Sequence, residues 1–448
     1  METLTGEGKD SVSNRFGEIL ITHRQPDFGK RLSDLRSAIM REAWFSAHDE
    51  RREQVIDVLR EVERKGAEAI SRFTEKFDGV KLLPEQFRVS QRDIEKAHKE
   101  INKDLLVSLQ KAIENVRKYQ KEIFIGNQRH PPGIKYTPIE RVGICVPGAS
   151  APLPSTVIMT AVPAQVAGVK YISIVSPPRY NGSIHPIILA VCRELDIDEV
   201  FRIGGAQAVA ALAFGAGDYI LRVDKIVGPG NQWVQTAKRE VFGIVGIDSI
   251  AGPSEVLIIA NDEANPAWVA ADMLSQAEHD PGSAVVFTDS QELAEKILNE
   301  LRLQVRQLGR AERTIECLGK YSAIAVFEHI DDVIHEANDF AAEHIEVQCG
   351  DRSKEIAQYV TNAGAIFIGE YSPVAVGDYW AGPSHTLPTG TTARFFSALS
   401  ANDFIKATSI IEYDKKKLAA SAEDIIRLAE VEGLDAHANS VRIRQRDQ

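Results

Sequence analysis

Gln276 and His279 are polar residues whose spacing is compatible with metal binding. They lie three residues apart near the end of a segment with helical periodicity, so their side chains would share one helix face. Imidazole is a common zinc ligand, and amide oxygens also bind cations. A polar pair at a helix end is equally typical of a cap or a solvated terminus, so both interpretations stay open.

Glu343 and His344 are adjacent and fall between a predicted helix and a predicted strand. Segments that connect elements often carry functional residues. Because histidine titrates near neutral pH, a neighbouring carboxyl and imidazole are suited to general acid–base chemistry. An exposed pair without a catalytic role has the same local pattern.

Asp378 is a third candidate, within residues 369–393, a long polar segment that we predict to be a loop. Loops of this length inside compact enzymes are often functional. Its carboxylate could bind a metal or could close an Asx turn.

Gly228-Pro229-Gly230-Asn231 lies between a predicted strand and a predicted helix. It resembles the beginning of the dinucleotide-binding fingerprint, but Trp233 occupies the position of the third glycine. The pattern therefore predicts a tight turn that brings Asn231 near a ligand, without identifying that ligand.

The elements that must position these residues alternate between strand and helix from about residue 141 to residue 368. This alternation predicts an α/β fold built from parallel βαβ units, followed by a helical tail. Within it, helical periodicity predicts one helix over residues 266–279. Before it, helical periodicity is strongest over residues 91–120.

Composition excludes several classes of protein. The 448 residues are 44% hydrophobic and carry a net charge of −12, which disfavours a nucleic-acid surface. No stretch reaches the ~18 apolar residues of a membrane span, so no membrane association is expected. The cysteines form no CxxC pair, which favours free thiols in a reducing cytoplasm; they are Cys145, Cys192, Cys317 and Cys349.

Several segments together resemble the histidinol dehydrogenase family. The resemblance is strongest over residues 247–256 and 272–279, and it extends over nearly all of the chain from about residue 30. Further matching segments are Gly204-Gly205-Ala206-Gln207-Ala208, Gly228-Pro229-Gly230-Asn231, Glu343-His344, residues 382–390 and Ala436-His437-Ala438.

The resemblance implies two incomplete Rossmann-like domains with parallel sheets, a helical N-terminal arm and a C-terminal dimerisation tail. Residues 1–44 would form the tail and arm, and residues 400–448 the helical intersubunit tail. Residues 45–144 and 256–399 would form a discontinuous domain that carries the metal and catalytic residues. Residues 145–255 would form an inserted domain with the cofactor contacts.

The resemblance also implies a site shared between the two chains of a homodimer. The implied zinc ligands are Gln276, His279, Asp378 and His437, the last from the partner. The implied substrate contacts are Ser254, Gln276, His279, His344, Asp378, His385, Glu432 and His437. The implied NAD contacts are Cys145, Gln207 and Asn231, although many members have tyrosine where this chain has Cys145.

The implied reaction is the oxidation of L-histidinol through L-histidinal to L-histidine, in which His344 removes protons and Glu343 activates water. A related dehydrogenase acting on an anionic diol such as sulfopropanediol is an alternative. Glu432 and His385 favour a cationic substrate over that one, because a sulfonate would call for Arg or Lys. A zinc hydrolase that uses Glu343 as its base and a non-catalytic binding protein are further alternatives.

Overall fold

The computed structural model describes residues 19–44, 48–127, 132–148, 152–279 and 281–445. The first 18 residues, expected to be a polar tail, lie outside this range. The strands are β1 (Leu20–Thr22), β2 (Ile134–Pro138), β3 (Arg141–Cys145), β4 (Tyr171–Val175), β5 (Glu199–Phe201), β6 (Lys225–Val227), β7 (Gly246–Ile247), β8 (Ser254–Ala260), β9 (Gly282–Thr288), β10 (Ala323–Val326), β11 (His344–Gln348), β12 (Ala365–Ile368) and β13 (Ile405–Ser409).

The α-helices among the described residues surround these strands. They are α1 (Phe28–Trp44), α2 (His48–Lys65), α3 (Ala67–Asp78), α4 (Gln91–Glu100), α5 (Lys103–Ile123), α6 (Pro154–Ala167), α7 (Pro186–Glu194), α8 (Gly205–Phe214), α9 (Gln232–Val241), α10 (Pro266–Ala277), α11 (Gln291–Gln304), α12 (Ala311–Tyr321), α13 (Ile330–Phe340), α14 (Ser353–Ala357), α15 (Val374–Tyr379), α16 (Lys415–Val431) and α17 (Asp435–Ile443).

A six-stranded sheet with strand order β1-β10-β9-β8-β11-β12 forms the first α/β layer, and all its neighbouring strands are parallel. Its central strands are apolar on both faces, as expected when helices cover both sides. In β8, Val256 and Ile258 pack on one face while Leu257 and Ile259 pack on the other. The predicted α/β class with parallel sheets is therefore confirmed.

A five-stranded parallel sheet with strand order β5-β4-β3-β6-β7 forms the second α/β layer. The chain runs outward from β3 on one side and then returns to β6 on the other. This reversal is the topological switch point at which open α/β sheets bind ligands, outside the carboxyl ends of the strands.

Helices α2 and α3 share their apolar core with this second sheet. Val55 and Phe73 belong to the same buried cluster as Phe201 and Val241. The domain limits drawn from the sequence, which group residues 45–144 with residues 256–399, stay a proposal. In the described residues, the packing of α2 and α3 associates them with the five-stranded sheet.

The helical periodicity over residues 91–120 corresponds to two helices, because Asn102 accepts hydrogen bonds from the Asp104 and Leu105 amides and begins α5. The predicted helix over residues 266–279 is slightly shorter than its periodicity suggested. It ends at Ala277, so His279 lies just beyond α10.

Two segments differ from their predicted conformation. The polar segment 369–393, predicted to be a loop, contains α15, which carries Asp378. The segment expected to be a helical arm contains α1 but also contributes β1, because Ile19 and Ile21 are buried and β1 pairs with β10 at the edge of the sheet.

Residues 126–137 and 405–448 form a separate compact unit. In this unit β2 pairs with β13, and α16 packs against α17. Leu428 and Val431 on α16 are exposed. None of the helices in the described parts of the chain has the length and apolar character needed to cross a membrane.

The turn between β6 and α9 is held by a buried ion pair. Lys238 Nζ lies 2.5 Å from Asp248 Oδ1 and donates to the Gly228 carbonyl at 3.0 Å. The Gly228 amide donates to Asp248 Oδ2 at 2.7 Å. Gly228 has φ of 102°, and a Cβ there would lie 2.5 Å from the Cys145 carbonyl oxygen, so only glycine fits.

Replacing Gly228 by alanine should therefore destabilise the protein more than the same replacement at Gly243. Gly243 has a similar φ of 100°, but a Cβ there would meet nothing within 4 Å. We expect Gly243→Ala to cost about 1–2 kcal/mol from backbone conformation alone, and Gly228→Ala to cost more because of the added clash. Urea denaturation measures both free energies of unfolding, and equal losses would contradict the close approach to Cys145.

Candidate active site and cofactor cleft

Glu343 and His344 lie at the amino end of the central region of the six-stranded sheet. His344 is the first residue of β11 and pairs in register with Val256 of β8. Both side chains are buried, with 7% of Glu343 and 3% of His344 exposed. A surface location for the pair is therefore excluded, and each polar atom needs a partner inside the protein.

Glu343 is held by two donors from the beginning of β8. Its Oε2 accepts from the Ser254 hydroxyl at 2.6 Å and from the Glu255 amide at 2.9 Å. Burial raises the pKa of Glu343 to about 8, although both hydrogen bonds favour the ionised form. A carboxyl group with this pKa is a stronger base than an ordinary glutamate once it has lost its proton.

His344 is oriented by the backbone of the same strand. Its Nδ1 lies 2.9 Å from the Glu255 carbonyl oxygen, which can only accept, so Nδ1 carries the proton. Burial lowers the pKa of His344, while nearby Asp378 opposes that shift. The imidazole is therefore neutral at physiological pH, and Nε2 presents a lone pair that can accept a proton.

Glu255 is a buried acid beside this pair that sequence reasoning missed. Burial raises its pKa to about 8, and its Oε1 accepts from the Gly390 amide at 2.8 Å. The signal was available, because Glu255 begins an otherwise apolar strand next to Ser254. A buried carboxyl group in such a strand needs specific donors.

The first compact unit includes residues 138–404 and contains three of the candidate metal ligands, on or beside the helices α10 and α15. Gln276 lies in the last turn of α10, and His279 follows that helix. Burial raises the pKa of Asp378, on α15, and the nearby His344 and His279 oppose that rise. His279, His344 and Asp378 therefore lie close together.

The buried side-chain amide of Gln276 indicates that a cation would fit at this place. It is 2% exposed, and its terminal amide nitrogen has no hydrogen-bond partner among the described residues. Amide nitrogen and oxygen positions are interchangeable by rotation, so the oxygen can occupy that place and act as a ligand. One amide, one imidazole and one carboxylate are a donor set that suits zinc. No three His, Cys, Asp or Glu side chains of the described residues form a metal site by themselves.

His385 is a further candidate residue that lies close to Asp378 and His344. It hydrogen-bonds to the Asp378 backbone, and burial lowers its pKa to about 4. The neighbouring Ser384 hydroxyl donates to the Met159 carbonyl of α6 at 2.8 Å, which anchors this segment. His385 is therefore a neutral imidazole close to His344, which also lowers its pKa.

The three residues assigned to the cofactor line one cavity of about 600 Å³ at the carboxyl ends of β3 and β6. Cys145 ends β3, Gln207 lies in the first turn of α8 and Asn231 caps α9. The volume is in the range of small-molecule and cofactor sites. Burial raises the pKa of Cys145 to about 12, which makes its thiol unreactive.

Several features of this cavity suit a dinucleotide. The amino ends of α8 and α9 open into it, at Gly204 and Asn231, where the helix dipoles favour phosphate groups. The buried Gln207 Oε1 has no partner among the described residues and can accept from a ligand N–H or hydroxyl group. On the same wall of the cavity, Gln207 Nε2 donates a hydrogen bond to Asp78 Oδ2 at 3.3 Å.

Sequence reasoning missed one wall of the cavity because α2 and α3 contribute it. Its lining residues include Asp57, Arg72, Phe73, Phe77 and Asp78. Helical periodicity finds the helices but does not show which sheet they cover. Their place in the cavity became visible only from the shared core with β5 and α9.

The segment between Asp248 and Ser254 joins the two sites along the chain. Asp248 holds the turn at the cofactor cavity, while Ser254 holds Glu343. Since an extended chain covers at most about 3.6 Å per residue, this segment spans no more than about 22 Å. The remaining candidates, Glu432 and His437, belong to the separate second unit, where Glu432 directly follows α16 and His437 lies in α17.

Comparisons with known proteins agree with this arrangement. The family model described as histidinol dehydrogenase matches residues 44–445. A histidinol dehydrogenase of Heliobacterium mobile is 45% identical over 398 residues, which cover 87% of this chain and 93% of that protein. One from Rhodopirellula baltica is 44% identical and covers 88% of this chain and 86% of that protein.

A solved structure is similar over nearly the whole chain. The crystal structure of histidinol dehydrogenase from Elizabethkingia anophelis has a TM-score of 0.87 and 33% sequence identity, covering 96% of this chain and 98% of that one. The match of the family model and the extent of these relationships agree with the resemblance in the sequence. The chain therefore belongs to the histidinol dehydrogenase family of oxidoreductases.

Proposed function

We propose that the protein oxidises L-histidinol through L-histidinal to L-histidine, with zinc and NAD as cofactors. The observation that carries the proposal is the buried Glu343–His344 pair, in which His344 Nδ1 is bound to the Glu255 carbonyl and Nε2 is left to act as a base. Membership of the family supplies the substrate, and this geometry supplies the chemistry.

Zinc would be held by Gln276, His279 and Asp378 together with His437 from a second copy of the chain. The unpartnered Gln276 amide supports the first unit's share of this set. When bound, zinc would orient the amino and imidazole nitrogens of the substrate, and NAD would accept hydride. Cys145, Gln207 and Asn231 would contact NAD in the cavity that they line.

Further side chains would select the substrate. Besides Ser254 and the ligand set, His385 and Glu432 would contact it, and the Glu432 carboxylate suits a cationic amino group. The exposed Leu428 and Val431 on α16 support a homodimer formed through the C-terminal tail. A cytoplasmic location is part of the proposal, and the buried, scattered cysteines of the chain agree with it.

In the first oxidation, His344 Nε2 would accept the proton of the substrate alcohol as hydride leaves the carbon. The low pKa of His344 keeps it neutral, and the bond to Glu255 holds the required tautomer. In the second oxidation, Glu343 would remove a proton from water that attacks the aldehyde, while protonated His344 returns its proton to the aldehyde oxygen. His344 would then accept a proton from the resulting diol as the second hydride leaves.

We expect about two NADH per L-histidinol from the zinc-loaded protein, because an alcohol that becomes a carboxylate loses two hydrides. Absorbance at 340 nm measures this ratio, and product analysis should identify L-histidine. Chelation should abolish the activity, and zinc should restore it. Turnover of sulfopropanediol in place of histidinol would contradict the substrate, and the absence of NADH with any alcohol would contradict the reaction.

Replacing Glu343 by glutamine should separate the two oxidations. Without the water-activating carboxylate, the Glu343→Gln protein should form about one NADH per substrate consumed and accumulate trapped aldehyde. The matched His344→Asn variant should lose both steps, because each needs its base. Full conversion to histidine by Glu343→Gln would show that another group activates the water.

Replacing Ser254 by alanine should move the pH dependence of aldehyde oxidation to higher pH. With the pKa of Glu343 near 8, the rate should rise as pH rises through 8 and the carboxylate forms. The Ser254 hydrogen bond lowers that pKa, so its loss should shift the rise upward by about one pH unit.

The matched control for this shift is Ser283→Ala, which removes a buried hydroxyl of β9 that donates to the Tyr321 carbonyl. Its rate should rise at the same pH as in the unmodified protein. A Ser254→Ala profile that stays in place or moves to lower pH would contradict the assigned role of the hydrogen bond.

A further inference from the structure

The face of β11 that carries His344 is polar along its whole length. Side chains alternate along a strand, so His344, Glu346 and Gln348 lie on one face while Ile345 and Val347 pack on the other. Glu346 is 1% exposed and Gln348 is 2% exposed. Neither has a part in the proposed chemistry, yet burial of a carboxyl and an amide at a sheet face is costly without a compensating role.

Glu346 connects three elements through hydrogen bonds. Its Oε1 accepts from the Val374 amide at the beginning of α15 at 3.1 Å. Its other oxygen accepts from Gln348 Nε2 at 2.8 Å, and that nitrogen also donates to Asp272 Oδ2 of α10 at 2.9 Å. Glu346 and Asp272 are hydrogen-bonded to each other as well.

The two carboxyl groups share a proton rather than carrying two charges. Burial and the neighbouring Asp272 raise the pKa of Glu346 well above its ordinary value. Burial also raises the pKa of Asp272, while its hydrogen bonds from Gln348 and Glu346 have the opposite effect. Protonated Glu346 is therefore the donor to Asp272, in keeping with the rule that adjacent carboxylates do not both ionise.

Each element that is hydrogen-bonded to Glu346 also carries a residue of the candidate site, a few positions along the chain from the bonded residue. Asp272 and Gln276 are four residues apart on α10, and Val374 and Asp378 are four residues apart on α15. Residues with this spacing lie above one another on a helix face. His344 lies two residues from Glu346 on the same face of β11. Val374 also packs into the core around Met273 and Leu274, which reinforces the contact of α15 with α10.

We propose that Glu346, bonded to Asp272 and to the Val374 amide, is the positioning residue that sets the relative places of Gln276, Asp378 and His344. The inference rests on the proposed function, since Gln276 and Asp378 matter to it as metal ligands. Groups that orient metal ligands from behind typically change metal affinity by about 10- to 100-fold when removed. Removing these bonds should therefore weaken zinc binding and leave NAD binding unchanged.

The test compares zinc affinity in the full-length chain, measured by competition of metal-free protein with a chromogenic chelator. Glu346→Ala should weaken zinc binding by about 10- to 100-fold. Glu346→Gln should stay close to the unmodified protein, because its amide can still accept from Val374 and donate to Asp272. The visible spectrum of bound cobalt should change in Glu346→Ala and stay the same in Glu346→Gln. Binding of NAD should be equal in all variants.

Val347→Ala is the matched control for general destabilisation. Val347 is the fully buried neighbour on the opposite face of β11, so its truncation should lower the free energy of unfolding without changing zinc affinity. Asp272→Ala is a milder variant, because Asp272 is only partly buried, and it should weaken zinc binding even if Glu346→Ala does not fold.

Three outcomes would overturn the inference. Unchanged zinc affinity in both Glu346→Ala and Asp272→Ala would remove the positioning role. An equal loss of zinc affinity in Val347→Ala would attribute the effect of Glu346→Ala to general destabilisation. A loss of zinc affinity in Glu346→Gln as large as in Glu346→Ala would show that a negative charge on Glu346 is needed rather than neutral hydrogen bonds. Absence of zinc binding by the unmodified protein would contradict the proposed function and this inference together, which separates that case from the other three.

Discussion

The hydrogen bond from His344 Nδ1 to the Glu255 carbonyl is the interaction on which the geometry of the candidate site depends. It crosses from β11 to β8, so the tautomer of the imidazole is fixed by the pairing of two central strands rather than by a mobile side chain. The amide of the same residue, Glu255, donates to Glu343. The backbone of Glu255 therefore orients His344 through its carbonyl group and Glu343 through its amide group.

The cofactor cavity and the candidate catalytic pair lie at opposite ends of the strands of their respective sheets. The cofactor cavity lies at the carboxyl ends of β3 and β6, where the reversal of strand order opens a crevice. The candidate catalytic pair instead lies at the amino ends of β8 and β11. Ser254, His385 and Asp378 of α15 lie near it. The buried Lys238–Asp248 pair stabilises the turn on the cofactor side of the segment that joins the two places.

Sequence patterns predicted the alternating strands and helices well, because apolar strands such as β8 and capped helices such as α9 are local signals. The resemblance supplied the candidate residues, and the structure brings His279, His344 and Asp378 together. Local patterns did not predict α15, a short helix in a polar segment, or the end of α10 before His279. They also missed Glu255 and Glu346, because the cost of burying a carboxyl group depends on partners from distant segments. The packing of α2 and α3 against the five-stranded sheet was invisible for the same reason.

The most direct test of this account is the protonation state of the His344 ring at neutral pH. Nitrogen-15 spectra of protein labelled at its histidine rings would report it, with the His344→Asn variant used to assign the signals. We expect a neutral His344 ring with the proton on Nδ1 and a free lone pair on Nε2. A proton on Nε2, or a doubly protonated ring, would contradict the claim that the backbone of β8 prepares this residue as the base.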